Sequence, residues 1–163
     1  MERPEHVFTA ARDGDGEAMR RLARKAYQPY VARIGREPAP MVADYETIAA
    51  SGDALLVWRE NDVVGMLVTR LEAHSLFLEN IAVDPGLQGS GLGSRLLAEA
   101  ERMARRSGAD TIRLYTNEAM VENLDFYRRR GYEETHRAVE EGYNRVYFEK
   151  RFSGLDFSTG AGP

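Results

Sequence analysis

Residues 76–94 read Leu76-Phe77-Leu78-Glu79-Asn80-Ile81-Ala82-Val83-Asp84-Pro85-Gly86-Leu87-Gln88-Gly89-Ser90-Gly91-Leu92-Gly93-Ser94. The order of residue types along this stretch decides the fold. Leu76 to Val83 is mostly apolar and stops at Asp84-Pro85, where a ladder cannot continue, which predicts a strand. Beyond the glycines, Leu92, Leu96, Leu97, Ala100, Met103 and Ala104 recur on one face of a 3.6-residue period. Arg95, Glu99, Glu101, Arg102, Arg105 and Arg106 take the opposite face, as in an amphipathic helix.

Three alternate glycines, Gly89, Gly91 and Gly93, join strand to helix. Without Cβ atoms such a loop can curl until successive N–H groups point inward, beside the unpaired N–H groups of the helix start. The helix dipole adds roughly half a positive charge there. The combination predicts a seat for a phosphate or pyrophosphate, with no lysine required. The dinucleotide fingerprint G-x-G-x-x-G fits poorly, because no third glycine falls in that register. A P-loop fits no better, since Gly93 is followed by Ser94 and Arg95 where it needs Lys and Ser/Thr. A glycine-rich turn without a ligand is the remaining alternative.

The string Gln88-Gly89-Ser90-Gly91-Leu92-Gly93 resembles Gln/Arg-x-x-Gly-x-Gly/Ala, the pyrophosphate motif of the GNAT superfamily of acetyl-CoA-dependent N-acetyltransferases. The apolar strand ending in Val83-Asp84-Pro85 is similar to the strand that precedes the motif in that family. A second stretch, Phe126-Tyr127-Arg128-Arg129-Arg130-Gly131-Tyr132, resembles the family's aromatic pair, three residues, then Gly-Phe or Gly-Tyr. The resemblance covers His6 to Phe152, although its specific motifs occupy only these two stretches. It implies an α+β GNAT fold: a mixed, mostly antiparallel central sheet of six to seven strands, about four helices, and a splayed parallel strand pair.

The rest of the chain is read in order. His6 to Ala11 predicts a first strand, and Asp13 to Glu17 a turn into a helix carrying Met19, Leu22, Ala23 and Ala26. Arg20, Arg21, Arg24 and Lys25 read as that helix's solvated face. Tyr27 to Tyr45 is broken by three prolines and a glycine, yet Tyr27, Tyr30, Val31, Ile34, Met41 and Tyr45 are too apolar for a linker. That combination suits a segment covering a substrate. Tyr45 to Ala50 completes a helix stopped by Ser51-Gly52. Ala54 to Trp58 and Val63 to Leu71 predict a hairpin around Asn61-Asp62. Thr111 to Tyr115 follows the long helix, so strand–helix–strand makes this pair parallel. Asn117 to Arg130 predicts a helix with Gly131 as its C-cap. Glu133 to Val139 and Tyr143 to Phe152 predict a hairpin around Glu141-Gly142.

Composition bounds the function. At 163 residues and 43% hydrophobic, the chain can bury a core of its own. We expect one domain over residues 1–152 and a flexible tail over 153–163. A formal charge of −4 argues against a nucleic-acid partner. The absence of cysteine excludes disulfides, thiolate metal sites and a cysteine nucleophile, and suits a cytoplasmic protein. No signal-peptide core occupies the first thirty residues and no run reaches membrane-spanning length, so no membrane is expected. His6, His74 and His136 lack metal-ligand spacing, so no metal is expected.

By resemblance, the cofactor is acetyl-CoA as co-substrate. The backbone of Ile81, Ala82 and Val83 would pair with pantetheine, and Gln88, Gly89, Ser90, Gly91, Leu92, Gly93 and Ser94 would hold the pyrophosphate. Asn123 would lie near the pantetheine, and Tyr127 would protonate the departing thiolate. Tyr27, Tyr30 and Asn80 would contact the acceptor. Strand alternation places Glu79 on the face of Ile81 and Val83, as a charge that needs a site or a partner, and makes it the candidate base. Asp44 and Tyr30 are weaker candidates, and a water relay is the alternative. The expected reaction is direct acetyl transfer to a primary amine of a small molecule. A protein N-terminal or lysine acetyltransferase and a non-catalytic acyl-CoA-binding module are the competing readings; a homodimer is allowed.

Overall fold

The computed structural model describes residues 5–152, so the expected C-terminal tail lies outside the described residues. The elements are β1 (His6–Ala10), α1 (Gly16–Tyr27), α2 (Val31–Ile34), α3 (Tyr45–Ser51), β2 (Ala54–Arg59), β3 (Asp62–Leu71), β4 (Ser75–Val83), α4 (Leu92–Arg106), β5 (Thr111–Asn117), α5 (Val121–Arg128), β6 (Glu133–Glu140) and β7 (Tyr143–Arg151). Single 3₁₀ turns occupy Gln28–Tyr30, Ala39–Met41 and Pro85–Leu87. Among the described residues the sheet has seven strands in the order β1-β2-β3-β4-β5-β7-β6, and β4 runs parallel to β5. This is the mixed α+β sheet that the sequence predicts. Among the described residues no helix is long and apolar enough to cross a membrane.

The described residues divide into two compact units: 5–70 with 78–100, and 71–77 with 101–152. In the first, β1 and β2 pair antiparallel from His6↔Arg59 to Ala10↔Leu55. Strands β2 and β3 also pair antiparallel, with a bulge between Val57 and Trp58. Arg59 pairs with Asp62, so the turn is Glu60-Asn61, one residue earlier than the expected Asn61-Asp62, and Glu60 takes a φ of 58°. Met19, Leu22, Ala23 and Ala26 of α1 are buried, and the helix meets α3 where Gly16 leaves no room for a side chain. A Cβ at Gly16 would sit 2.9 Å from the Glu46 backbone. Helix α3 begins at Tyr45, whereas the sequence reading takes Tyr45 to Ala50 as the end of a longer helix; its stop at Ser51, with Gly52 at φ 78°, is as expected. Asp44 caps it, accepting from Thr47 N at 3.2 Å and Thr47 Oγ1 at 2.7 Å. Of the basic cluster on α1, Arg20 pairs with Glu17 at 2.7 Å and with Glu46, while Arg21, Arg24 and Lys25 are exposed.

In the second unit β5 and β7 pair antiparallel from Thr111↔Arg151 to Asn117↔Arg145, and β6 pairs with β7. The β6–β7 turn is Glu141-Gly142, as expected, with both residues at positive φ (54° and 82°), a type I′ connection that matches strand twist. Helix α5 starts at Val121, later than predicted, because Asn117 still belongs to β5. Beyond it the Asn117 side chain and carbonyl accept from Ala119 N (2.9 Å) and Met120 N (3.0 Å). Gly131, at φ 89°, closes α5 in a Schellman motif: Tyr132 N donates to Tyr127 O at 3.1 Å and Gly131 N to Arg128 O at 3.2 Å. Lys150 Nζ holds Glu101 at 2.9 Å and the Arg130 carbonyl at 3.0 Å, which fixes the same corner from β7.

Candidate functional site

The first unit carries the glycine loop. Asp84 ends β4 with three ties: its N–H donates to Val64 O of β3 at 2.8 Å, its Oδ1 accepts from Gly86 N at 2.8 Å, and its Oδ2 takes Lys25 Nζ at 3.1 Å. Burial opposes the Asp84 charge, but the Gly86 N–H and the Lys25 ammonium outweigh it and hold the carboxyl below its ordinary value. The loop then turns through Gly89 (φ 83°) and Gly91 (φ 90°), a left-handed conformation that favours glycine. Gly93 needs no such freedom, since it lies in the first turn of α4 and not in the loop.

The amides of this stretch divide into two groups. Gln88 N, Ser90 N and Leu92 N are spent on Pro85 O (3.4 Å), Leu87 O (3.1 Å) and Ser90 Oγ (3.3 Å). Among the described residues the Gly89, Gly91 and Gly93 amides have no protein acceptor. They sit at the start of a fifteen-residue helix with no acidic residue in its first turn. An anion is the natural partner for such donors. The helix start comes close to the sheet because Gly65 of β3 has no side chain: a Cβ there would meet Leu92 Cδ2 at 3.1 Å, Val57 Cγ2 at 3.3 Å and Leu96 Cδ1 at 3.4 Å. Neither Asp84 nor Gly65 stood out in the sequence as a site residue. A helix-packing glycine leaves no local mark, whereas the Asp-Pro pair did mark the strand end.

Strand β4 alternates as expected. Leu78, Asn80 and Ala82 are buried, while Glu79, Ile81 and Val83 are half-buried. Glu79 is paired with Arg70, so the charge inside the apolar strand has found a partner. The two side chains keep 31% and 55% of their exposure, which leaves the pair open to solvent. Asn80 accepts from the Tyr27 hydroxyl and donates from Nδ2 to Tyr45 Oη at 3.3 Å. The Tyr27 hydroxyl also lies 3.2 Å from Ile81 O, and the Tyr45 hydroxyl donates to Pro40 O. Tyr27 and Asn80, two expected acceptor contacts, are thus joined in one buried network. Tyr30 is half-buried, with the Arg33 guanidinium 5.0 Å over its ring. Asp44 is exposed and serves as the α3 cap; the Thr47 hydroxyl and N–H hold its carboxyl below the usual carboxylate range.

The second unit carries Tyr127 and Asn123. The Tyr127 ring is buried against Phe126, Tyr132 and Phe148, at centroid distances of 5.2, 5.6 and 6.0 Å. Burial pushes its phenol well up, so it stays protonated through any working range. Among the described residues no protein group hydrogen-bonds its hydroxyl. Among the described residues no fully buried polar side-chain atom lacks a partner, so this oxygen keeps at least a trace of solvent exposure. Asn123 is half-buried, with Nδ2 3.3 Å from Thr116 Oγ1 and 3.5 Å from Met120 Sδ.

Comparison with known proteins agrees with this fold. The profile of the acetyltransferase (GNAT) family matches residues 17–132, and the chain belongs to that family. It is 34% identical over 87 residues to the aminoalkylphosphonate N-acetyltransferase of Salmonella typhimurium, over 50% of this chain and 56% of that one. The chain spans about half the length of curated relatives of this kind. Among solved structures it is similar to the PaiA N-acetyltransferase of Thermoplasma acidophilum in complex with coenzyme A. That match has a TM-score of 0.70 and 17% identity, covering 91% of this chain and 99% of that one. It is also similar to the ribosomal-protein-S18-alanine N-acetyltransferase of Escherichia coli, with TM-score 0.72, 15% identity, and 91% and 95% covered.

Proposed function

We propose that the chain is an acetyl-CoA-dependent N-acetyltransferase acting by direct transfer on a primary amine of a small molecule. The observation that carries this reading is the trio of glycine amides, without protein acceptors among the described residues, at the start of α4. They fit the diphosphate of a CoA carrier, and family membership supplies the reaction class. The Salmonella relative's name, an acetyltransferase of aminoalkylphosphonates, favours a small amine.

Acetyl-CoA would supply an acetyl group already activated as a thioester. The amine must first lose a proton, because a primary ammonium titrates near ~10. Glu79, on the half-buried face of β4, is the proposed acceptor of that proton, directly or through water. A main-chain N–H of Ile81 to Val83 would polarise the carbonyl as it turns tetrahedral. As the amine nitrogen bonds to the carbonyl carbon and the carbon–sulfur bond breaks, Tyr127 would give its phenolic proton to the thiolate. Its buried ring, and a hydroxyl with no protein partner among the described residues, support that role. A cysteine-free chain leaves no thiol to carry the acetyl group, which favours direct transfer.

The test is calorimetric titration with acetyl-CoA, followed by thiol release across a panel of amines that includes peptides. Binding, with turnover on one or more small amines, is the expected result. No binding at millimolar acetyl-CoA removes the reading, and turnover on peptides alone hands it to the protein-acetyltransferase alternative.

A further inference from the structure

We propose that Asn80 is a positioning residue that keys segment 28–44 to β4 and so fixes where the amine acceptor stands; this rests on the function proposed above. Asn80 occupies a strand position whose same-face neighbours, Leu76, Leu78 and Ala82, are buried apolar residues. An amide there is costly unless both its ends are satisfied, and an apolar residue would fill the space equally well. Both ends are satisfied, and by residues that bracket the irregular segment. Tyr27 is the last residue of α1 and donates to Asn80 Oδ1, while Tyr45 is the first residue of α3 and accepts from Asn80 Nδ2 at 3.3 Å.

The network also reaches into the segment and onto the strand backbone. The Tyr45 hydroxyl donates to Pro40 O, within the segment itself. The Tyr27 hydroxyl stands 3.2 Å from Ile81 O, at the part of β4 proposed to face the thioester. Asn80 therefore joins Tyr27 and Tyr45 at strand position 80; Tyr45 in turn holds Pro40 O, and Tyr27 lies at Ile81 O. The segment's helices are single turns with Pro29, Pro38 and Pro40 at or beside their starts, too short to be stable alone, and the buried Met41 anchors it beside the tyrosine bonds. Burial raises the Tyr45 phenol, so the network keeps its donor proton across any working pH. Asn80 touches neither reactant in this account and acts through Tyr27 and Tyr45.

The full-length protein tests this with Tyr45→Phe, Tyr27→Phe and the double variant. Tryptic cleavage after Arg33 and Arg36 under native conditions reads the segment's opening without any acceptor. Cleavage in Tyr45→Phe should rise about tenfold or more, as losing both hydrogen bonds of that hydroxyl, to Pro40 O and from Asn80 Nδ2, implies. KM for the amine should rise by a similar factor while acetyl-CoA affinity stays within about twofold. The double variant should fall short of the product of the single effects, since both bonds end on one amide. If melting temperature drops while cleavage and amine KM stay put, Asn80 is only a satisfied core polar group and the proposal falls. Should Tyr45→Phe fail to fold, Tyr27→Phe carries the same readings. If the wild-type chain binds no acetyl-CoA, the proposed function fails, and the cleavage rates still decide whether the segment is keyed to β4.

Discussion

Lys25 of α1 reaches Asp84, the residue that opens the glycine loop, across a 3.1 Å ion pair. The Lys25 side chain is 61% exposed, so the pair alone adds little stability. Its weight lies in what Asp84 also holds, the Gly86 amide and the Val64 carbonyl. Asp84→Ala should weaken acetyl-CoA binding about tenfold and cost about 1 kcal/mol of stability, as loss of a capping carboxylate does. Calorimetry and chemical denaturation read the two effects. Unchanged affinity would mean that the loop keeps its shape without Asp84.

The same residue gives a pH signature. Its folded-state pKa lies below the unfolded value near ~3.9, so its stabilisation is present above that pH and disappears as pH falls through the folded pKa. The stability gap between wild type and Asp84→Asn should therefore be widest near neutrality and shrink as acid is added. A gap that stays constant down to about pH 2 would contradict this sign.

Tyr127→Phe separates chemistry from structure. Its hydroxyl has no protein partner among the described residues, so removing it should change stability by less than about 0.5 kcal/mol. Turnover should drop about a hundredfold, the usual scale for a general acid, with acetyl-CoA affinity nearly untouched. Full activity in the variant would retire Tyr127 from the mechanism.

Glu79→Gln addresses the base. The Arg70–Glu79 pair is solvent-open, so stability should move by less than about 1 kcal/mol. Amine kcat/KM should fall about tenfold or more while acetyl-CoA binding is retained. An unaltered rate would assign proton removal to a water relay.

Gly65→Ala probes the seat of α4. With Leu92, Val57 and Leu96 atoms at 3.1–3.4 Å, an added methyl should cost about 1 kcal/mol. Leu92→Ala in the same chain should relieve part of that cost. Strictly additive effects in a thermal melt would show that the helix does not press on this glycine.

Much of the fold was legible because its signals are local. The apolar run to Asp84-Pro85, the period of α4, and glycines at 131 and 142 each state their conformation within a few residues. The α3 boundary was missed because the cap, Asp44, follows a broken segment that resembles a helix already under way. The site was legible in part. Alternation placed Glu79 and Asn80 on opposite faces of β4, but their partners could not be read. Tyr27 lies 53 positions from Asn80 and Tyr45 lies 35, and Arg70 meets Glu79 only once β3 and β4 are aligned. Local patterns fix which way a side chain points; what it meets depends on chain closure over long separations.

Gly89 and Gly91 sit in open space, with nothing within 4 Å of where a Cβ would project, so handedness alone bars other residues there. A mirror-image amino acid favours that same backbone geometry. A semisynthetic chain with D-alanine in place of Gly91 should accordingly keep the bend, gain stability by losing freedom in its unfolded state, and grip its ligand undiminished, whereas L-alanine at the same place should do none of these.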